Sequence, residues 1–162
     1  MPPADPQALA EAVRDAMLER DHATRALGMR ITHIAPGAAE IEMEVRADML
    51  NGHGSCHGGL ITALADSAFA FACNSRNVVS VASGFSVDLL LPAMQGDRLA
   101  ARCRELHCGG RLGVYDCEVF NQRGDKVAIF RGHSYALKGR TVLGGEPLAE
   151  RPAATADAGE HR

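Results

Sequence analysis

The chain has 162 residues, 46% of them hydrophobic and 23% charged, enough for one compact domain whose core needs no metal or disulfide staple. Seventeen Lys and Arg against twenty Asp and Glu leave a formal charge of −3, so the broad positive field that holds a nucleic-acid backbone is missing and nucleic acid is not an expected partner. The five cysteines, Cys56, Cys73, Cys103, Cys108 and Cys117, are odd in number and form no C-x-x-C pair, so neither a disulfide framework nor a zinc ribbon is expected.

The opening M-P-P-A-D has neither a basic leader nor an apolar run, and no uncharged apolar stretch approaches the ~20 residues that span a bilayer. The expectation is a soluble cytoplasmic protein without membrane contact. Asp5 followed by Pro6 marks a helix start, since Asp accepts orphan N–H bonds and Pro suits the first helical position. Leu9, Val13 and Met17 then recur on one face opposite Glu11, Arg14 and Glu19, and Gly28 closes the segment. The spacing predicts an amphipathic helix over roughly residues 6–26. Residues 31–34, a Pro36-Gly37 turn and the alternating A-E-I-E-M-E-V-R at 39–46 predict strands, the second with one wet face.

After a Gly- and His-rich loop, residues 60–74 are rich in Ala and Leu and carry one charge, Asp66. A helix apolar almost all round is expected to be buried almost all round. Only 4% of residues are aromatic, so small side chains must fill much of the core around it. Segments 79–91, 98–107, 112–121 and 126–137 read as strands, and the short Gly-containing turns between them imply consecutive antiparallel hairpins. From about Lys138 any periodic pattern ceases, which predicts a disordered tail. The order is helix, two strands, central helix, four strands, tail: an α+β fold in which a six-stranded antiparallel sheet curls around one helix.

The loop N-G-H-G-S-C-H-G-G at 51–59 runs straight into that helix. Gly58 and Gly59 at a helix start let a ligand approach the backbone, where free N–H groups and the positive end of the helix dipole make an oxyanion-binding device. The alternative is a flexible turn that merely ends the strand. Asp66 is costly to bury unless it is hydrogen-bonded or functional, and a capping role is its structural alternative. Gly58 and Asp66 lie eight residues apart, roughly 12 Å along a helix. Groups acting on one carbonyl must sit within a few ångström of each other. If the two act together, Asp66 of one subunit faces Gly58 of another across an antiparallel helix pair, and the protein is a two-fold dimer.

The string N-G-H-G-S-C-H-G-G-L-I-T-A-L-A-D-S-A-F-A-F-A-C-N-S resembles the signature of hotdog-fold acyl-CoA thioesterases, closest to the PaaI type associated with phenylacetate degradation. V-A-S-G-F-S-V-D-L-L-L-P-A at 81–93, G-V-Y-D-C-E-V-F-N-Q at 113–122 and V-A-I-F-R-G-H-S at 127–134 extend the resemblance over residues 26–138. It implies an N-terminal helical segment at 1–27, a hotdog domain at 28–138 and a tail at 139–162. It also implies that the Gly58 N–H polarises a thioester carbonyl, that Asp66 is nucleophile or general base, and that Asn51 and His57 orient the substrate and the Gly58 loop. A Ser or Thr on the next strand assists the carboxylate in some relatives; Ser83 is the nearest candidate here, with Ala82 as the alternative register. A thioester suits such a site, because its thiolate leaves easily (thiol pKa about 8.5) and little acid assistance is required.

His53, Cys56, His57 and Cys73 match no usual zinc spacing, so no metal and no cofactor beyond the coenzyme A of the substrate is expected. Cys103 and Cys108 read as small thiols in the core or at the surface. Arg111 and Arg131, with Lys138, are candidates for the coenzyme A phosphates, against the alternative of solvated strand-edge charges. Phe69, Phe71 and Phe85 are candidates for an acyl pocket, against the alternative of core. The resemblance implies hydrolysis of aryl or arylacetyl-CoA and self-association into a dimer, with a homotetramer built from two dimers. The competing readings are a hotdog dehydratase or hydratase on hydroxyacyl thioesters and a non-catalytic acyl-CoA binder. The roughly 26 residues ahead of the domain are too few for a DNA-binding module.

Overall fold

The structure, a computed structural model, describes residues 5–145. Its elements in chain order are α1 (Pro6–Arg20), α2 (His22–Ala26), β1 (Arg30–Ala35), β2 (Ala38–Glu44), a single 3-10 turn (Ala47–Met49), α3 (Gly58–Asn74), β3 (Ser80–Leu89), β4 (Arg98–Gly109), β5 (Leu112–Phe120) and β6 (Lys126–Ala136). The Asp5 carboxylate accepts from the Gln7 N–H and Pro6 occupies the first turn, as the sequence leads one to expect. The single helix expected over 6–26 is broken at Asp21. That residue leaves the helical conformation, and its carboxylate accepts from the Thr24 N–H at 2.9 Å and the Thr24 hydroxyl at 2.7 Å. A short acidic side chain that satisfies backbone donors itself competes with helix continuation. Gly28, at φ +68°, then turns the chain into β1.

The strands form one antiparallel sheet in the order β1-β2-β4-β5-β6-β3. Consecutive hairpins join β1 to β2, β4 to β5 and β5 to β6. The hairpin expected between residues 79–91 and 98–107 does not form, because β3 pairs with β6 instead. The connecting segment has its backbone engaged elsewhere: the Cys56 N–H donates to the Ala93 carbonyl and the Val45 N–H to the Asp97 carbonyl. The chain therefore crosses the N-terminal end of α3 before β4 enters beside β2, and β3 remains an edge strand.

α3 packs its Ile61, Leu64, Ala65, Ala68, Phe69 and Ala72 face into the sheet, where full burial of a side chain such as Leu64 or Phe69 contributes ~1.5–3 kcal/mol. Phe69 meets Tyr115 edge-on at 5.5 Å and Phe130 at 5.8 Å. Gly132 makes room for this cluster, since a methyl there would come within 2.9 Å of both phenylalanine rings. The sheet does not surround α3: Thr62, Ala63, Asp66, Ser67 and Ala70 form a stripe that stays only half-buried.

Two further expectations are corrected. Cys103 and Cys117 stand directly opposite each other on β4 and β5, with Cα atoms 4.0 Å apart, and are joined as a disulfide; it is one bridge between neighbouring strands. The disordered tail expected from Lys138 does not begin there. Val79 donates to the Arg140 carbonyl, Asn77 accepts from the Leu143 N–H, and the Arg20 guanidinium donates to the carbonyls of Val142 and Gly145. The rest of that tail, residues 146–162, lies outside the described residues.

Asn74 ties the end of α3 to the start of β3, donating to the carbonyls of Ala70 and Ser80 and accepting from the Ser80 N–H at 2.9–3.0 Å while buried. Asn74→Ala leaves the Ser80 groups without these partners, and is expected to cost about 2–3 kcal/mol in urea-unfolding stability.

Candidate active site

The loop before α3 is built around Asn51. Its side-chain carbonyl accepts from the His53 and Ser55 N–H groups at 2.9 and 3.2 Å, its amide donates to the Ser55 hydroxyl, and its own N–H bonds the Ser55 carbonyl. Gly54 takes φ +79° in that turn, a conformation glycine adopts without penalty. The loop is anchored at its far end by the His57 N–H on the Met49 carbonyl. Asn51 therefore holds the loop that delivers Gly58, and His57 stands exposed at the N-cap without a side-chain capping bond.

Gly58 and Gly59 open α3 as its first two residues. Among the described residues no group accepts a hydrogen bond from either N–H, and the helix dipole adds a partial positive charge there. Leu89, at the end of β3, lies over this terminus: a Cβ on Gly58 would come within 2.5 Å of its Cδ1. Glycine at this position keeps the N–H accessible beside a leucine that the sequence reading did not single out. Leu89 opens the run L-L-L before Pro92, three consecutive apolar residues at the end of an edge strand and just past it, a pattern that half-burial of a strand does not explain.

Asp66 lies two turns further along the same helix, in the half-buried stripe. Among the described residues it accepts no hydrogen bond and faces no cation within ion-pair distance, so the capping role does not apply to it. Desolvation raises its pKa above the ordinary carboxylate value. Burial likewise pushes the thiol of Cys56 up and that of Cys73 up to about 12, which keeps both protonated and poorly nucleophilic near neutral pH.

The remaining candidates divide. Ser83 is exposed at a bulge of β3, where its hydroxyl donates to the His133 carbonyl at 3.1 Å. Phe69 is core: it is 1% exposed and turned toward the sheet, away from the Asp66 stripe, which corrects its assignment to substrate. Phe71 is equally buried, whereas Phe85 is 49% exposed and stacks on Phe130 at 4.9 Å. Arg131 forms a two-point ion pair with Asp116 at 2.7 and 2.9 Å, which holds the Asp116 carboxyl below its usual range. Arg111 lies over the Tyr135 ring and donates to its hydroxyl. Both arginines already have partners, so neither stands as a ready phosphate ligand. Among the described residues no group of three or more His, Cys, Asp or Glu is placed to hold a metal ion, and no helix is long and apolar enough to cross a membrane.

A curled antiparallel sheet over a central helix that carries these groups is the hotdog architecture, and the family model described as the thioesterase superfamily matches residues 53–128; with the relatives that follow, the chain belongs to that family. Its relatives place it more narrowly. It is 47% identical over 129 residues to the acyl-coenzyme A thioesterase PaaI of Escherichia coli K12, covering 80% of this chain and 91% of that one. The solved structure of the E. coli PaaI protein from the phenylacetic acid degradation operon superimposes with a TM-score of 0.83 at 44% identity, over 85% of this chain and 99% of that one. A Streptococcus mutans protein solved bound to acetyl-CoA matches at 26% identity with a TM-score of 0.67, over 70% of this chain and 91% of that one.

The raised pKa of Asp66 gives a sign to test. A carboxyl whose folded-state pKa exceeds its unfolded one stabilises the fold only when protonated; that contribution is full below the unfolded-state pKa and is lost as pH rises through the folded one. Asp66→Asn is therefore expected to raise Tm around pH 7, the gain shrinking to nothing below about pH 4. Melts across that range would contradict the assignment if the variant were less stable at neutral pH.

Proposed function

We propose that the chain hydrolyses acyl-CoA thioesters of the aryl or arylacetyl class to the free acid and coenzyme A, at a site shared between two copies. One observation supports this above the others: α3 carries an unpartnered, desolvated carboxylate and an unbonded pair of N–H groups, eight residues apart. At a rise of 1.5 Å per residue they lie roughly 12 Å apart, too far to act on one carbonyl. An antiparallel α3 from a second copy brings Gly58 opposite Asp66, with the two-fold axis passing near Thr62, midway between them.

The surface around α3 supports such pairing. Within that stripe Thr62, Ala63 and Ser67, beside Asp66, have small side chains that permit close helix approach, whereas Ala70 in this register lies beyond the start of the facing helix. Beside it, edge strand β3 and the segment after it expose Phe85, Leu89, Leu90, Leu91 and Met94, each 47–52% accessible, an apolar patch of the kind that marks an interface. A free β3 edge also offers unpaired backbone groups to a second strand.

In the composite site the Gly58 N–H of one copy donates to the thioester oxygen, drawing charge toward the positive end of α3. Asp66 of the other copy supplies the electron pair, either to the carbonyl carbon or to a proton of the attacking water. The C–S bond breaks, the coenzyme A thiolate leaves, and water provides the oxygen of the acid and the proton of the thiol. Asn51 holds the loop and His57 flanks it, and Ser83 is assigned to the carboxylate side, its hydroxyl exchanging the His133 carbonyl for Asp66 in this reading. Nothing in this sequence of steps calls for a metal or a further cofactor. Pairing of dimers into a tetramer, and a location in the cytoplasm, belong to the same reading.

Two inactive variants test it together. Asp66→Asn removes the carboxylate. Gly58→Pro, made together with Leu89→Ala to clear the space a Cβ would need, removes the N–H, since proline is accepted at the first helical position and His57 already has the extended conformation a following proline requires; Leu89→Ala alone is the control for the added substitution. Each alone is expected to lower kcat on phenylacetyl-CoA by about 10²–10³-fold or more. Mixing them through unfolding and reassembly should restore about a quarter of wild-type activity, because half the dimers are mixed and each mixed dimer has one intact site. No recovery would rule out the shared site, and no thiol release by the wild-type chain from any acyl-CoA would rule out the activity.

A further inference from the structure

A cleft of about 330 Å³ opens between α1, the second half of α3, the start of β3 and the turn at 141–142. Its floor includes Ala70, one helical turn beyond Asp66 on the same stripe, so the cleft begins roughly 6 Å along the helix from the carboxylate. Met17 walls it on the α1 side, Val79 and Val81 on the β3 side, and Val142 at the rim.

The polar groups bordering the cleft are engaged within the protein. The Arg20 guanidinium donates to the carbonyls of Val142 and Gly145, the Asp21 carboxylate accepts from Thr24, and the Asn74 amide is shared between Ala70 and Ser80. What remains for a ligand is mainly hydrocarbon, which favours an uncharged apolar group. The volume sets a lower bound on its size: an apolar cavity of ~150 Å³ accepts a benzene ring, so this cleft of about 330 Å³ has space for a ring and its linking carbon.

Half of the cleft comes from outside residues 53–128, the span the family model matches. Met17, Arg20 and Asp21 belong to the N-terminal helical segment, and Thr141 and Val142 to the turn that Arg20 clamps. We propose that this cleft receives the distal part of the acyl group and favours bulky apolar acyl groups over small ones, with the N-terminal helix and the 141–145 turn acting as specificity elements added to the shared thioesterase framework. This rests on the assignment of Asp66 to the thioester.

The test separates the cleft from the chemistry. Ala70→Leu fills the floor, and Val142→Phe fills the half-exposed rim, where the fold is more tolerant of bulk. Each is expected to lower kcat/KM for phenylacetyl-CoA relative to that for acetyl-CoA by at least tenfold, because acetyl does not reach the cleft. Equal losses on both substrates in a variant that still melts cooperatively would overturn the proposal, as would an unchanged ratio in both variants. Binding to Asp66→Asn by calorimetry reads the cleft without turnover: phenylacetyl-CoA should bind at least fivefold more tightly than acetyl-CoA, and adding Ala70→Leu should abolish the difference. Equal binding of the two thioesters overturns the cleft assignment. Cleft-dependent binding with no hydrolysis by the wild-type chain would instead count against the thioesterase reading and leave the cleft standing.

Discussion

The rigidity of α3 governs the rest of this molecule. An α-helix cannot fold back on itself, so a carboxylate and a backbone donor placed eight residues apart on one helix remain about 12 Å apart in every conformation the domain visits. For those two groups to share a substrate the fold must leave a face of α3 uncovered, and it does. The sheet takes the Leu64, Ala68 and Ala72 side, while the small residues around Asp66 stay half-buried and the apolar edge strand β3 lies beside them. Incomplete wrapping of the helix, the exposed edge and the desolvated carboxylate are consequences of one geometric limit.

Electrostatics fits the same frame. Burial disfavours the ionised form of Asp66, and no neighbour compensates for it among the described residues, whereas Asp116 and Asp97 are stabilised as carboxylates by Arg131 and by backbone and side-chain donors respectively. An uncompensated carboxylate is a better base and a better nucleophile than a paired one. The acids with partners are structural by contrast: they hold strands in register or close turns, as the buried Asp97 does by accepting from the Met94 N–H at 2.8 Å.

Much of the fold was legible from pattern alone, because its signals are local. Alternation in 39–46 marked β2, the apolar run with a lone Asp marked α3, and Gly pairs marked the turns. What pattern does not show depends mostly on competition between distant segments. The break at Asp21 is the local exception, a carboxylate bonded to Thr24 three residues further on. The stretch at 92–97 reads as a hairpin turn until its backbone is seen bonded to Cys56 and Val45, which sends β3 to the far edge. The Cys103–Cys117 pair depends on a single irregularity: a regular hairpin closing at Gly109 and Leu112 would set Cys103 opposite Glu118, and the register shift between Glu105 and His107 brings Cys117 there instead. Phe69 is a comparable case, since helical spacing places it near Asp66 in sequence while its ring points into the sheet.

The sequence by itself determined which chemical groups this protein possesses: the glycine pair at a helix start, the lone carboxylate two turns later and the distance between them. Those follow from helical rise and side-chain chemistry, both local properties of the chain. Only the tertiary structure decided which face of the helix stays open, which arginines are already paired, that Leu89 occupies the space a Cβ on Gly58 would need, and that α1 and the 141–145 turn close a cleft one turn from Asp66. These depend on which segments pack together, and packing is settled by competition among contacts far apart in the sequence.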